Sequence, residues 1–235
     1  MVTEILSPLL SEHGIPLDGA QLASLEKYAE LLCEWNEKMN LTAITDPEGI
    51  AVKHFLDSLA FLKKVDVPFG ARLADVGTGA GFPGLVLKIA RPDIELVLID
   101  SLQKRLTFLA AVLSQLGLSA SLVHARAEDA GHDKALRESF DVVTARAVAN
   151  LSALSEYCLP LVKIGGVFAP MKTADVESEA AAAEKAVAVL GGKILSTQIY
   201  ELPVAGKRSV VTIEKVEHTP PKYPRQRVKI TEKPI

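Results

Sequence analysis

Apolar positions in the first 70 residues recur at three- and four-residue steps. Leu22, Leu25, Tyr28, Leu31, Leu32, Trp35 and Met39 line one face of a helix. Asp18 stands where a cap would start that helix. The stretch NLTAITDPEG (40–49) breaks it before a shorter helical segment, IAVKHFLDSLAFLKK (50–64). From residue 71 the period changes. Short apolar runs now alternate with helical stretches: RLADVG (72–77), IELVLID (94–100), ASLVHA (120–125), FDVVTA (140–145), GGVFAPM (165–171), GKILSTQIYE (192–201) and RSVVTIEKV (208–216). Helical composition fills 85–91, 101–117, 147–163 and 174–190. Such alternation predicts a parallel sheet covered on both faces. Only the turn LPVAGK separates the last two runs, so they form a hairpin and the final strand runs antiparallel. The expected architecture is an α/β Rossmann-like domain over 71–217 with seven strands, a helical extension over 1–70 and a tail over 218–235.

Composition narrows the class. A chain of 235 residues with 49% hydrophobic residues and a net charge of −3 has ample length for a packed core. The start, MVTEILSPLL, has no basic flank and is interrupted by Glu4, so no signal peptide is expected, nor is any apolar run long enough to cross a membrane. Cys33 and Cys158 are isolated and read as core packing, and His13, His54, His124, His132 and His218 form no close ligand pair. The expectation is a cytoplasmic protein without a disulfide framework or a metal.

The chemistry concentrates in LADVGTGAGFPGLVLKI (73–89), where Gly77, Gly79, Gly81 and Gly84 follow the first strand and Pro83 suits the first turn of a helix. A phosphate-cradling loop of the Walker type needs Lys and Ser or Thr after its last glycine, and Leu85 and Val86 stand there. A dinucleotide fingerprint begun at Gly77 meets Phe82 at its third position, although one begun at Gly79 keeps register. The third reading is an acid, Asp75, two residues before three alternating glycines. This pattern resembles the first motif of the Rossmann-like S-adenosylmethionine methyltransferases. A ligand without phosphate tolerates an acid there, and a carboxylate attracts a sulfonium or ammonium group. Asp100, ending the second strand, can accept from ribose hydroxyls in either the methyltransferase or the nicotinamide reading. The antiparallel ending fits the methyltransferases.

A more specific resemblance runs along the chain. WNEKMNLTAI (35–44), HFLDSL (54–59), DVGTGAGFPG (75–84), DSLQKRLTFL (100–109), RAED (126–129), FDVVTARAVA (140–149) and YPR (223–225) are similar, in the same order, to the RsmG (GidB) family of bacterial 16S rRNA guanine-N7 methyltransferases. The resemblance implies S-adenosylmethionine as methyl donor and a guanine of the 530 loop as acceptor, offered as 16S rRNA or a small-subunit particle. It also implies that Gly77, Phe82, Ala127, Glu128 and Arg146 contact the donor, beside Asp75, Gly79 and Asp100 of the loop and second strand. Arg146 can hold the donor's carboxylate or an rRNA phosphate, or pair with Asp75 or Glu128. No obligate protein partner is evident.

Two devices of other nucleic-acid methyltransferases are missing. No cysteine is placed to attack a pyrimidine ring, and ARAVAN occupies the place of the Asn/Asp-Pro-Pro-aromatic motif used on exocyclic amines. Guanine N7 needs neither, since it carries a lone pair and is exposed in the major groove, so no general base is expected. A nicotinamide-dependent oxidoreductase and a non-catalytic RNA-binding module are the competing readings. Charge is uneven. Residues 215–235 hold six basic and two acidic residues, a net +4, which leaves −7 on the body. The tail is therefore either an RNA-binding arm, with Tyr223 stacking on a base beside Arg225 and Arg227, or a disordered terminus. Lys172, Lys207 and Arg208 extend the basic patch. Asn40 reads as a helix cap, and His54 and Asp57 as a pair on one helix face, either surface or site.

Overall fold

The computed structural model describes residues 1–146, 149–173 and 176–235. The expected helical segments that begin at 147 and 174 therefore start outside the described residues, by two residues each.

Two helices open the chain, α1 (Val2–Glu12) and α2 (Gly19–Met39). Asp18 caps α2 as expected: its side chain accepts from the Gln21 amide at 2.8 Å, and the Gln21 side-chain oxygen accepts from the Asp18 amide in return. The Gln21 amide group also donates to the carbonyls of Ile89 and Ala90, which fastens the extension to the sheet domain. Asn40 ends α2 in the left-handed conformation (φ 50°). Cys33, expected in the core, lies exposed on α2, whereas Cys158 is buried. The next segment is one irregular helix: α3 (Pro47–Gly49), a π-helical stretch (Ile50–Leu56), and α4 (Asp57–Ala60).

The sheet domain follows as β1 (Arg72–Val76), α5 (Gly84–Ala90), β2 (Glu95–Asp100), α6 (Gln103–Leu116), β3 (Ser121–His124), α7 (Ala127–Ala130), β4 (Phe140–Thr144), α8 (Leu151–Cys158), β5 (Val162–Phe168), β6 (Met171–Thr173), α9 (Val176–Val189), β7 (Gly192–Leu202) and β8 (Gly206–Lys215), and α10 (Arg227–Glu232) closes the chain. The strand order is β3-β2-β1-β4-β5-β8-β6, with β7 paired to β8. The strands β3, β2, β1, β4 and β5 are parallel, and β8 is antiparallel to β5, β6 and β7. Seven runs become eight strands among the described residues because Ala169 and Pro170 divide the fifth. Proline has no amide hydrogen for the ladder, so the chain breaks and resumes as β6.

Strand residues alternate between two cores. Leu73, Leu96, Leu98 and Val142 face α1, α2, α5, α6 and the 47–63 helix, while Ala74, Val76, Val97 and Ile99 face α8, α9 and the tail. The first cluster runs without interruption from Val2 to Val210, so the helical extension shares a core with the sheet rather than sitting apart. Among the described residues no helix is long and apolar enough to cross a membrane.

Candidate functional site

Reversal of strand order between β1 and β4 opens a crevice at the carboxyl ends of the strands, the place where doubly wound sheets bind ligands. A cleft of about 510 Å³ lies there, within the range of small-molecule sites. Gly77, Gly79, Phe82, Asp100, Ala127, Glu128 and Arg146 all line it, so sequence reasoning assembled most of one wall.

The glycine loop is held from behind. Asp75 is fully buried and does not line the cleft; its Oδ2 accepts from Thr78 Oγ1 at 2.7 Å and from the Gly84 amide at 2.9 Å. This corrects the expectation of a carboxylate facing the ligand: Asp75 fixes the loop. Its Oδ1 is buried without a partner among the described residues, and burial pushes the carboxyl pKa up to about 6. Gly81 adopts φ +100°, and a Cβ there would come within 2.5 Å of Tyr28 Oη. The Tyr28 hydroxyl, carried by α2, donates to the Ala80 carbonyl.

The amides of the loop decide what it can hold. Those of Gly77 and Thr78 donate to the Ile99 carbonyl, and those of Gly81 and Phe82 to the Thr78 carbonyl. The Gly79 amide donates to Asp100 Oδ2 at 2.9 Å, and the Gly84 amide to Asp75. A pyrophosphate site needs such amides free and no carboxylate beside them. Here carboxylates take the Gly79 and Gly84 amides and backbone carbonyls take those of Gly77, Thr78, Gly81 and Phe82, which disfavours the dinucleotide-like use of the loop.

Asp100 is 2% exposed and accepts also from the Leu102 amide at 2.9 Å and from Arg105 at 3.1 Å. Its oxygens retain acceptor capacity for a hydroxyl. Arg105 was not singled out by the sequence reading, because a charged residue in the first turn of an amphipathic helix resembles a solvated one. Glu128 and Ala127 stand on α7 beside β3, and Tyr157 of α8 completes that end of the cleft.

At the opposite end Phe82 is the centre of a stack. The His54 ring lies parallel to it at 4.2 Å, Tyr28 stacks at 5.4 Å, and the Arg146 guanidinium sits 5.2 Å from its centroid. Arg146 pairs with neither Asp75 nor Glu128. Its Nη1 donates to Asp57 Oδ2 at 2.9 Å and to the Lys53 carbonyl at 3.0 Å, and its Nη2 to His54 Nδ1 at 3.3 Å. Because an arginine can only donate, Nδ1 of His54 is the acceptor, and its Nε2–H donates to Thr42 Oγ1 at 3.0 Å. The Tyr200 hydroxyl donates to Asp57 Oδ1 at 2.9 Å. The His54–Asp57 pair is thus a buried element of the site, carried on the π-helical stretch and the first residue of α4.

The residues expected to reach RNA divide. Tyr223 is buried, and Arg225 makes a two-pronged pair with buried Glu156, at 2.8 and 2.6 Å. Lys172 is held by Glu179 and the Ala149 carbonyl, both at 2.8 Å. Each of the three is buried or paired within the fold, which corrects the expectation of side chains free to reach RNA. Lys207 is exposed, Arg208 has no acidic partner among the described residues, and Arg227 lines the cleft from α10. The tail itself packs on the body. Arg137 donates to the carbonyls of Thr219 and Tyr223, and Lys215 to Thr219 Oγ1, which straps residues 219–223 to the body.

Burial and the Arg146 charge hold His54 neutral, with its pKa lowered from 6.5 to about 3. In the unfolded chain it takes up a proton below pH 6.5 and in the fold it does not, so it removes stability as the pH falls. Asp75 acts with opposite sign: raised from 3.8 to about 6, it binds a proton in the fold before the unfolded chain does. The two slopes offset one another in the wild type. Urea unfolding at pH 7 and pH 5 is expected to separate them in His54→Gln, whose stability should improve relative to wild type by about 2 kcal/mol on acidification. An unchanged difference would place a charged His54 in the fold.

The family model described as GidB, rRNA small subunit methyltransferase G, matches residues 21–210. A ribosomal RNA small subunit methyltransferase G from Geobacillus thermodenitrificans is 50% identical over 222 residues, covering 93% of this chain and 92% of that protein. The protein of the same name from Desulforamulus reducens is 47% identical and covers 100% of this chain and 98% of its own. Among solved structures, a methyltransferase from Pyrococcus furiosus superposes with a TM-score of 0.58 at 15% identity, covering 80% of this chain and 95% of that one. A SAM-dependent O-methyltransferase from Thermotoga maritima gives 0.54 at 17%, covering 80% and 72%. At these identities the two structures speak for the fold alone.

Proposed function

The chain belongs to the GidB family of rRNA small subunit methyltransferases G, and from that premise we propose that it transfers the methyl group of S-adenosylmethionine to N7 of a guanine in the 530 loop of 16S rRNA. The observation that carries the choice of donor is the engagement of the loop amides by Asp75 and Asp100. With those amides taken the loop offers a pyrophosphate few donors, while the acceptor positions left on Asp100 suit a ligand with hydroxyls.

The residues present fit that donor. The glycine loop admits it closely, Asp100 offers acceptors for ribose hydroxyls, and Glu128 offers one for an adenine amino group. Arg105, Arg126, Arg146 and Arg227 line the same cleft as candidate partners for a carboxylate. When bound, the donor supplies a methyl group activated by its sulfonium. The chain's own residues position the two reactants and shield them from water: Phe82 and His54 line the cleft as a stack backed by buried Tyr28, and Arg146 is fixed by Asp57. Neutral N7 needs no proton removed before attack. None of these side chains is therefore assigned as a base, and the rate gain comes from alignment.

The test uses labelled S-adenosylmethionine with rRNA from cells lacking the native enzyme, offered naked and as subunits. Borohydride reduction and aniline cleavage then map 7-methylguanine. A single cleavage in the 530 loop is the expected result and also shows which substrate form is used. Label at another base or atom would overturn the assignment.

A further inference from the structure

A second cavity of about 340 Å³ adjoins the cleft, and His54 and Arg146 line both. We propose that this cavity receives a single purine nucleotide extruded from the RNA, with Asp57 reading the guanine edge and Lys53 and Arg208 taking the phosphates on either side. The inference deepens the methyltransferase reading and rests on it.

Position comes first. The shared wall stands at the carboxyl end of β4, beside β1, where an acceptor must arrive to meet a methyl group held in the cleft. Size comes second. The volume is at the small end of ligand sites, so it admits a nucleotide and not a helix. A base can enter only after leaving its stack. Charge comes third. Lys53 and Arg208 line the cavity, and neither has an acidic partner among the described residues. Arg146 and Lys172 add two further cations, each already paired. Such a lining draws an anion.

The remaining lining is apolar or selective. Met171 and Ile44 offer flat contact to a ring, the thioether in particular. Asp57 is the only carboxylate lining the cavity among the described residues. Its two oxygens each hold one hydrogen bond, from Arg146 and Tyr200, and each keeps a further acceptor position. Guanine presents N1–H and an amino group side by side, which matches a carboxylate. Adenine presents an acceptor at N1, which a carboxylate repels, so the same residue discriminates against the wrong purine.

The test has two arms. In the first, 8-azidoguanosine 5′-monophosphate is photolysed with the full-length protein and the modified peptides are sequenced. Because C8 neighbours N7 and faces the shared wall, modification is expected at His54 or Arg146, with further label at Lys53 or within 171–173, to persist with S-adenosylhomocysteine present, and to be lost in Thr173→Trp, whose side chain fills the cavity from an exposed strand end. Modification confined to the glycine loop or to α7, or none, overturns the proposal whatever the protein methylates. In the second arm, Lys53→Ala/Arg208→Ala is expected to raise KM for small subunits at least tenfold while its Kd for S-adenosylhomocysteine stays within twofold. Thr173→Trp should lose at least a hundredfold in turnover at unchanged Tm. Turnover of Thr173→Trp within twofold of wild type, or an unchanged KM in the double variant, overturns the assignment. Absence of rRNA labelling by the wild type overturns the methyltransferase reading instead, and the photolabel still reports on the cavity.

Discussion

Arg225→Ala is expected to destabilise the protein by about 3–5 kcal/mol, a large effect for a charged residue in a terminal segment. Glu156 is fully buried on α8, and its oxygens accept the Arg225 backbone amide at 2.8 Å and two guanidinium bonds. Removing the arginine leaves a carboxylate in an apolar core with one amide donor for company. Burial of Tyr223 and Ile230 depends on the same anchor, since both belong to the second hydrophobic cluster. Urea denaturation should show the midpoint fall, and limited proteolysis should cut first near 219–227. Glu156→Leu/Arg225→Ala supplies the control. With both charges gone it is expected to recover much of the loss, because an apolar replacement of a buried pair is often neutral. A single variant within 0.5 kcal/mol of wild type would return the tail to the role of a loose arm. The pairing also bears on function, because α10 brings Arg227 and Thr231 to the donor cleft. Loosening the strap should weaken binding of S-adenosylhomocysteine, so truncation of the tail does not separate RNA binding from donor binding.

The Arg225–Glu156 pair marks where the sequence stops being legible. Local periodicity identified the buried face of α2, the cap at Asp18, the closing hairpin and the glycine loop, since each is decided by neighbours a few residues away. The strand ends carrying Asp100 and Arg146 were legible for the same reason: an apolar run fixes where a strand ends, and the parallel sheet gathers those ends at one edge. Pairings across the fold were not. Arg225 meets Glu156 across 69 positions and Arg146 meets Asp57 across 89, and no spacing rule links them. Composition reported the tail as basic and could not report that Arg225 has a private acid. Lys172 and Glu179 repeat the lesson at shorter range, because the helix that returns Glu179 to β6 is a tertiary fact. Cys33 errs in the other direction: it lies within the amphipathic stretch of α2 yet falls outside the stripe that packs.

The second large effect is expected at Asp57. Asp57→Ala should cost about 3–5 kcal/mol, because Arg146 is 16% exposed and would lose its only acidic partner among the described residues. Tyr200 would lose its acceptor as well; burial and the Asp57 charge hold its hydroxyl protonated, so it stays a donor. Asp57→Asn keeps one acceptor oxygen and the shape of the side chain, and its loss should be smaller. The pair Asp57→Ala/Arg146→Met removes both charges and is expected to fold nearly as well as wild type. The useful comparison is then between stability and turnover in the same double variant. Arg146 lines both cavities and lies against Phe82, so restoring the fold without the guanidinium should leave rRNA methylation at least a hundredfold below wild type. A double variant that regains stability and turnover together would reduce the pair to a structural link between the helical extension and β4. Recovery of stability alone would place the pair in the site itself, Arg146 where the two cavities meet and Asp57 in the second of them.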